Sequence, residues 1–591
     1  MKPVLCIPKC LLIVAILILL IAYSIPLTAM IRYVSHTGSS TPPYTTWETA
    51  ADSIQKCLNY SVDGDTIIVA NGVYYESLIV NKYLWLIGSS MDSTVIDGTG
   101  LIDITVDGQS EFNISSFTLI GKERTGLSTA VMTFSGYNVN VNYCRMYKAG
   151  ICIYMGRSSG EIENVILSDC NVSIQSFCFE DTCNPKISNS IIIMDNTIDE
   201  AIDIFDGGSP TISDNIILGN LSSTYGVSVT FDVKANIIKN NDVSGFSNNL
   251  NNIDGTDTTI VYNNTLSYAI QRGVTIGAKT DLRNNIIAHN NFGTVGPTTT
   301  NSDYNLYWKN NTHTTVGFAQ HDILADPMFV NDTIPTYNGS YDYHLQMFSP
   351  AIDTGDPNIL DVDGSRSDIG AYGGPGGEMY TYIDLSPRPP VNIDAIVDTN
   401  NIVVNWNKNT EADTSHYNVY RDTVANFTID PSKLISSQSD TIYIQPNPQN
   451  VESLYYKITA VDNQGNESLP SEEVGVLITS VNDYQVVIDD YILYQNYPNP
   501  FNPTTKIGYK FKERGYVKLM VYDIKGELIS VLVNQVQEAG YYEVEFTTEV
   551  GSGQYAVGKQ LASGIYLYRL EVIGEGNIPR FFDMKKMILI K

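Results

Sequence analysis

A short pattern that returns nine times between Phe112 and Asn310 limits what this chain can fold into more than any other feature. The returns are ISSFTL (114–119), VNYCRM (141–146), IENVIL (162–167), ISNSII (187–192), ISDNII (212–217), VKANII (233–238), VYNNTL (261–266), LRNNII (282–287) and SDYNLY (302–307). Their fourth positions are Phe117, Cys144, Val165, Ser190, Asn215, Asn236, Asn264, Asn285 and Asn305, at steps of 27, 21, 25, 25, 21, 28, 21 and 20 residues. Apolar residues alternate within each unit, β-branched residues are frequent, and Gly, Asn, Asp and Ser punctuate the units, which reads as strand. No helix of about ten residues or more fits between returns, which disfavours helical and leucine-rich repeats. A recurrence on this scale predicts a solenoid of stacked strands.

The last five returns carry Asn at the aligned position. An inward Asn once per coil can stack into a ladder in which each side-chain amide bonds the next, satisfying polar groups that are costly to bury alone. The competing role for these residues is the ordinary turn asparagine, which favours left-handed backbone. With this Asn column and this period, the stretch resembles a right-handed parallel β-helix of the pectate-lyase-like superfamily. Strands about 4.8 Å apart and roughly ten coils give a rod on the order of 50 Å long.

Residues 1–29 read as an export signal. Lys2 and Lys9 precede an apolar run from Leu11 to Ile25, and Ala29 offers a small residue at a cleavage point. The run is shorter than the roughly 20 residues a membrane span needs. Residues 30–385 are assigned to the β-helix. Thr45-Thr46-Trp47-Glu48 has the form of a capping box, predicting a helix to about Leu58 that buries Trp47, Ala50, Ile54 and Cys57 over the open end of the solenoid. The segments DGDTIIVANGVYYESLIV and LWLIGSSMDSTVIDG resemble the first coils of exported bacterial β-helix proteins. DPMFV (326–330), DYHLQMFSPAIDTG (342–355) and DVDGSRSDIGAYGG (361–374) resemble the closing segment of such proteins. Within the last, Asp361 and Asp363 alternate as oxygen ligands do in calcium loops, although Tyr372 stands where an EF-hand needs its acidic twelfth residue.

Ser386-Pro387-Arg388-Pro389-Pro390 marks a stiff linker and a boundary. Residues 386–480 then change to short antiparallel-type strands, with Trp406 and Tyr456 as inward aromatics, and resemble a fibronectin type III sandwich, VDNQGNESLPSEEV being typical of its end. Residues 492–591 contain YQNYPNPFNP (494–503), VYDIKGELISVL (521–532), LASGIYLYRL (561–570) and KKMILIK (585–591). These motifs, in this order, resemble the C-terminal sorting domain of the type IX secretion system. The resemblance implies a further β-sandwich, an outer-membrane translocon and a sorting peptidase as partners, and delivery to the outer surface of a Gram-negative-type bacterium or beyond it. The expected fold class is therefore all-β, a parallel β-helix followed by two sandwich modules.

Charge divides the chain in the same place. Of the net charge of −29, residues 492–591 contribute +2 and the remainder −31. A rod so acidic repels nucleic-acid phosphates and suits divalent cations or, through aromatics, neutral glycans. Cys57, Cys144, Cys152, Cys170, Cys178 and Cys183 remain after removal of the leader, and their pairing is open among 15 combinations or free thiols. Without a CxxC pair or a histidine cluster, their spacing argues against a zinc site.

One region offers candidate chemistry. Residues 170–185 and 195–210 align without a gap at a 25-residue step, placing Asp181 beneath Asp206 and Cys178 beneath Asp203, with Glu180, Asp199 and Glu200 nearby. Carboxylates on adjacent coils are close enough to share calcium. Resemblance to β-helix polysaccharide lyases implies that calcium on Asp181, Asp203 and Asp206 would acidify the uronate C5 proton and that a basic residue would remove it. Arg157, on the coil before, is the candidate base, ahead of Lys148 and Arg272. No family motif matches these residues one by one, and a binding or adhesive β-helix, or a glycoside hydrolase using Asp181 and Asp206, is the alternative.

Overall fold

The computed structural model describes residues 29–590 except 99, 101, 108–110, 123–127, 135–137, 178–182, 196–199, 231–232, 234–235, 253–257, 299–300, 337–338, 399–400, 449–450, 479–489, 548–560 and 575–578. The leader read at residues 1–29 thus lies almost wholly outside the described residues. The chain divides into two units, Met1–Leu385 with Thr410–Ala412, and Ser386–Asn409 with Asp413–Lys591. The first is a parallel β-solenoid whose three sheets, A, B and C, hold 12, 12 and 11 strands. Registered pairing stacks like on like. In sheet A, Ile162, Ile187, Ile212, Ile238 and Val261 lie one above another, all buried. Sheet B stacks Leu167, Ile192 and Ile217, and sheet C stacks Ile153, Ile174, Ile202 and Val227. These columns meet in one core, which is why the strands read as apolar alternation with β-branched enrichment.

From Ser116-Phe117 to Tyr304-Asn305, nine successive corners lead from sheet A to sheet B, and each takes two residues. The first of each pair has positive φ, for example Asn240 (55°), Asn263 (53°) and Asn284 (56°), and the second points inward. Both roles weighed for these asparagines are thus real, at neighbouring positions. The ladder runs Asn215, Asn241, Asn264, Asn285, Asn305, with each Nδ2 donating to the next Oδ1 at 2.9 to 3.0 Å. Asp322 ends it by accepting from the Asn305 backbone N–H at 2.9 Å. The expected rung at Asn236 is corrected to Asn241. Asn236 is buried but lies before its strand of sheet A, donating to Thr259 Oγ1 at 3.2 Å. The actual unit is IKNNDV (238–243), in which Asp242 replaces the usual apolar or hydroxyl residue after the rung.

At the N-terminal end the helix is Ile54–Tyr60, later than the capping box at Thr45–Glu48 implied. Its first turn is held from a distance: Glu76 accepts from Ser53 Oγ at 2.6 Å and from the Ile54 and Gln55 N–H groups at 2.8 and 3.0 Å. Ile54, Cys57 and Leu58 are buried as expected, whereas Trp47 is 44 % exposed and packs on Tyr33 with centroids 4.5 Å apart. Cys152 and Cys170 form a disulfide. Cys57 and Cys144 are buried free thiols, Cys183 is buried, and Cys178 lies outside the described residues.

The closing segment covers a flank rather than an end. Asn263 Nδ2 donates to Ser367 Oγ and Asp368 O at 3.0 and 2.9 Å, Asn240 Nδ2 to Ala371 O at 3.0 Å, and the Asp356 N–H donates to Asn284 Oδ1 at 2.7 Å. The left-handed corner asparagines therefore also fasten this segment, and Phe329, Tyr343, Leu345 and Ile369 pack with Ile286 and Leu306. Under it, burial pushes the Asp242 carboxyl up to about 7. Asp361 accepts from the Asp368 N–H at 3.0 Å and from the Gly374 N–H, and Asp363 accepts from Ser365 Oγ at 2.6 Å.

The second unit is antiparallel. Sheets of three and four strands span Asp394–Leu477 around Trp406, Tyr417 and Tyr456, and a further pair of three and four strands spans Ile492–Leu589 around Phe501, Tyr509 and Tyr568. Asn496, in the YQNYPNP run, is buried and donates to Thr505 Oγ1 at 2.9 Å.

Candidate functional site

The candidate residues belong to sheet C, six of whose strands are β1 (Ile151–Gly156), β2 (Val172–Phe177), β3 (Glu200–Phe205), β4 (Tyr225–Thr230), β5 (Asn248–Asn252) and β6 (Arg272–Thr275). Ile202 and Ile204 face the core, so Asp203 between them faces outward. Its row across the strands is Tyr154, Gln175, Asp203, Ser228, Asn251, Thr275. A second outward row contains Glu200, Tyr225, Asn248 and Arg272.

The register differs from the expectation. Gln175, not Cys178, lies beside Asp203, a step of 28 residues, while sheets A and B keep the step of 25. The connection into β3 is three residues longer than the one into β2, and the connection out of β2 is longer than that out of β3 by the same amount. The two differences cancel outside sheet C, which hides the offset from an ungapped alignment. Asp181, Cys178, Glu180 and Asp199 lie outside the described residues.

Asp203 accepts from Gln175 Nε2 at 3.1 Å and hydrogen-bonds Glu200; burial nevertheless holds its carboxyl above the usual carboxylate range. Asp206 and Arg157 leave their strands at equivalent positions, both with positive φ (63° and 53°), two strands apart. Two strand spacings amount to roughly 10 Å of backbone separation. Phe177 and Phe205 pair at 4.9 Å between centroids beside these exits.

Four residues of this face were not singled out by sequence. Ser228, Asn248, Asn251 and Thr275 point outward yet are only 4, 8, 6 and 7 % exposed. None has a side-chain hydrogen-bond partner among the described residues, and Thr275 Oγ1 is fully enclosed. Recessed, unpaired polar groups of this kind are uncommon and ask for a ligand or water. The signal that finds them is positional: they occupy the outward places of strands whose inward places are Val227, Leu250 and Val274.

No protein-family model matches the chain, and no curated protein matches it. Among solved structures, it is similar to a Fn3-like protein from Clostridium thermocellum, at 26 % identity over 16 % of this chain and 98 % of that one, with a TM-score of 0.14. It is also similar to the fibronectin(III)-like modules of Clostridium thermocellum CbhA, at 15 % identity over 32 % of this chain and 85 % of that one, with a TM-score of 0.13. A third similarity is to titin kinase and its flanking domains, at 13 % identity over 27 % of this chain and 37 % of that one, with a TM-score of 0.14. The chain is a parallel β-solenoid followed in sequence by antiparallel sheets.

Proposed function

We propose that this chain is exported to the cell surface and binds extracellular polysaccharide along the outer face of sheet C. The observation that carries this is the recessed set of Ser228, Asn251 and Asn248, polar groups without side-chain partners among the described residues, beside the half-buried ring of Tyr225 and with Tyr154 farther along the same face. Hydroxyls and amides offer donors and acceptors to sugar hydroxyls, and aromatic rings take the apolar faces of sugars. In affinity electrophoresis through polysaccharide gels, the double substitution Asn248→Ala and Asn251→Ala should weaken retardation at least about tenfold, the equivalent of 1.4 kcal/mol. Its thermal midpoint should remain near that of the parent, since neither side chain bonds another described residue. Unchanged retardation would place the binding elsewhere.

Calcium-dependent β-elimination is the alternative, with Asp181, Asp203 and Asp206 on the metal and Arg157 as base. It requires a product with ultraviolet absorbance from a uronate polymer, lost with chelator and with Arg157→Ala. We expect no such product. Of the three acidic residues this alternative needs, Asp203 and Asp206 lie on or at the exit of β3, and Asp181 lies outside the described residues.

The address is part of the same reading. Exported protein should lack Met1–Ala29 and most of the region beyond about Asp490, because the sorting-type motifs resemble a segment removed or exchanged at the surface. Intact mass of the surface fraction decides it: a mass that includes Lys591 argues against processing, and retention in the periplasm argues against the address.

A further inference from the structure

We infer that the glycan taken by the outer face of sheet C is neutral, a polymer of uncharged sugars rather than a polyuronate. This inference rests on the polysaccharide-binding reading above. Among the described residues, the recessed groups left without partners on β4 and β5 are all uncharged: two primary amides, Asn248 and Asn251, and one hydroxyl, Ser228. An amide both donates and accepts, as does a hydroxyl, so these groups match sugar hydroxyls in either sense and have no preference for an anion. They recur at the strand spacing, about 4.8 Å, so an extended chain running along the rod axis meets a polar group on each coil it crosses.

The charged groups on the same face oppose an acidic polymer. Glu200 and Asp203, two acidic side chains, share β3 and its outward side. Asp206 follows at the exit of that strand. A polyuronate lying along the face would bring a carboxylate on every sugar, and those over β3 would meet this pair at close range in a poorly hydrated recess, where like charges repel most. Gln175, beside Asp203, donates to it and so turns its polarity toward the carboxyl. Arg272 stands three strands from Glu200 in its row, exposed, and offers one cation at the far end of the face. The long-range field agrees, because the chain outside residues 492–591 carries −31. The aromatic contribution, from Tyr154 and Tyr225, is indifferent to the charge of the sugar.

The test uses the full exported protein in affinity gels containing either neutral polymers (a β-glucan, a xylan and a mannan) or polyuronates (polygalacturonate and alginate), with and without calcium. The expected result is retardation by at least one neutral polymer with an affinity at least tenfold above that for either polyuronate. The double substitution Glu200→Gln and Asp203→Asn is expected to raise polyuronate affinity at least fivefold by removing the repelling charge. Stronger retardation by a polyuronate, with or without calcium, overturns this inference and leaves the polysaccharide-binding reading standing. Retardation by no polymer of either class overturns that reading and this inference with it. If the wild-type preference is neutral but the double variant gains nothing on polyuronate, the charge argument fails and the inference is withdrawn.

Discussion

Replacing Asn264 by leucine is expected to destabilise the solenoid by about 3–5 kcal/mol, from two or more buried groups orphaned at about 1–3 kcal/mol each. Asn264 Nδ2 donates to Ile238 O, Tyr262 O and Asn285 Oδ1, each at 3.0 Å, and its Oδ1 accepts from the Asn241 backbone and side chain, both at 3.0 Å. Leucine fills a similar volume but leaves the Ile238 carbonyl and the Asn241 N–H in a dry interior. The neighbouring Asn263→Leu should act differently. It removes the bonds from the closing segment to the corner and places a bulky side chain in left-handed backbone, but it keeps the ladder. Equilibrium unfolding of the two variants, read against amide exchange of residues 356–374, separates them. If Asn263→Leu and Asn264→Leu protect and expose the same amides, the ladder has no role of its own.

The second large effect runs in the stabilising direction. Asp103, at the start of a sheet C strand, is almost wholly buried, and its Oδ2 has no hydrogen-bond partner among the described residues. Its carboxyl lies against the bare Cα of Gly98, where a Cβ would come within 1.6 Å of Oδ1. Burial, with a smaller contribution from Asp97, pushes this carboxyl up to about 8. The unfolded chain holds the same group near 3.9. The folded state therefore binds the extra proton between these limits. Stability contributed by the neutral carboxyl is complete below about pH 4 and is lost as pH rises through about 8. Asp103→Asn should match the parent at pH 4–5 and exceed it by about 3–5 kcal/mol at pH 8.5. Thermal unfolding of both proteins across that range checks this, and a gap that does not widen with pH would show that the carboxyl escapes burial.

The solenoid was legible because its inward columns are nearly all aliphatic, so that the period survives loops of changing length. The ladder was legible at Asn264, Asn285 and Asn305, where a corner asparagine precedes the rung or the unit keeps its shape. It was misplaced at Asn236 because ANII imitates the pattern, while the true unit places Asp242 where its neighbours have Ile216 and Thr265. That departure makes sense only with the closing segment in place over sheet B, a contact more than a hundred residues away in sequence. The helix start depends on a similar long-range contact. A local capping box competes with Ser53, and Glu76, which decides between them, belongs to a different coil. At the candidate site, Asp203 and Asp206 stood out by charge, whereas Ser228, Asn251 and Thr275 resemble turn residues until their strands are known to be buried on the inner side. The offset at Gln175 had no local signature, because two loop differences of equal size cancel.

The two-residue corner between sheets A and B has a consequence for how such a molecule can change. All nine corners keep that length, whereas connections into and out of sheet C range from three to eight residues. An insertion at the asparagine edge would move a rung out of its column and break bonds to the coils on both sides. An insertion at either border of sheet C displaces only itself, as the compensating loops around β2 and β3 already show. The rod is thus gauged along one edge and open to revision along the two others. Those two edges flank the face where the recessed polar row lies, so new specificity can be written there while the gauge goes on setting every coil in place.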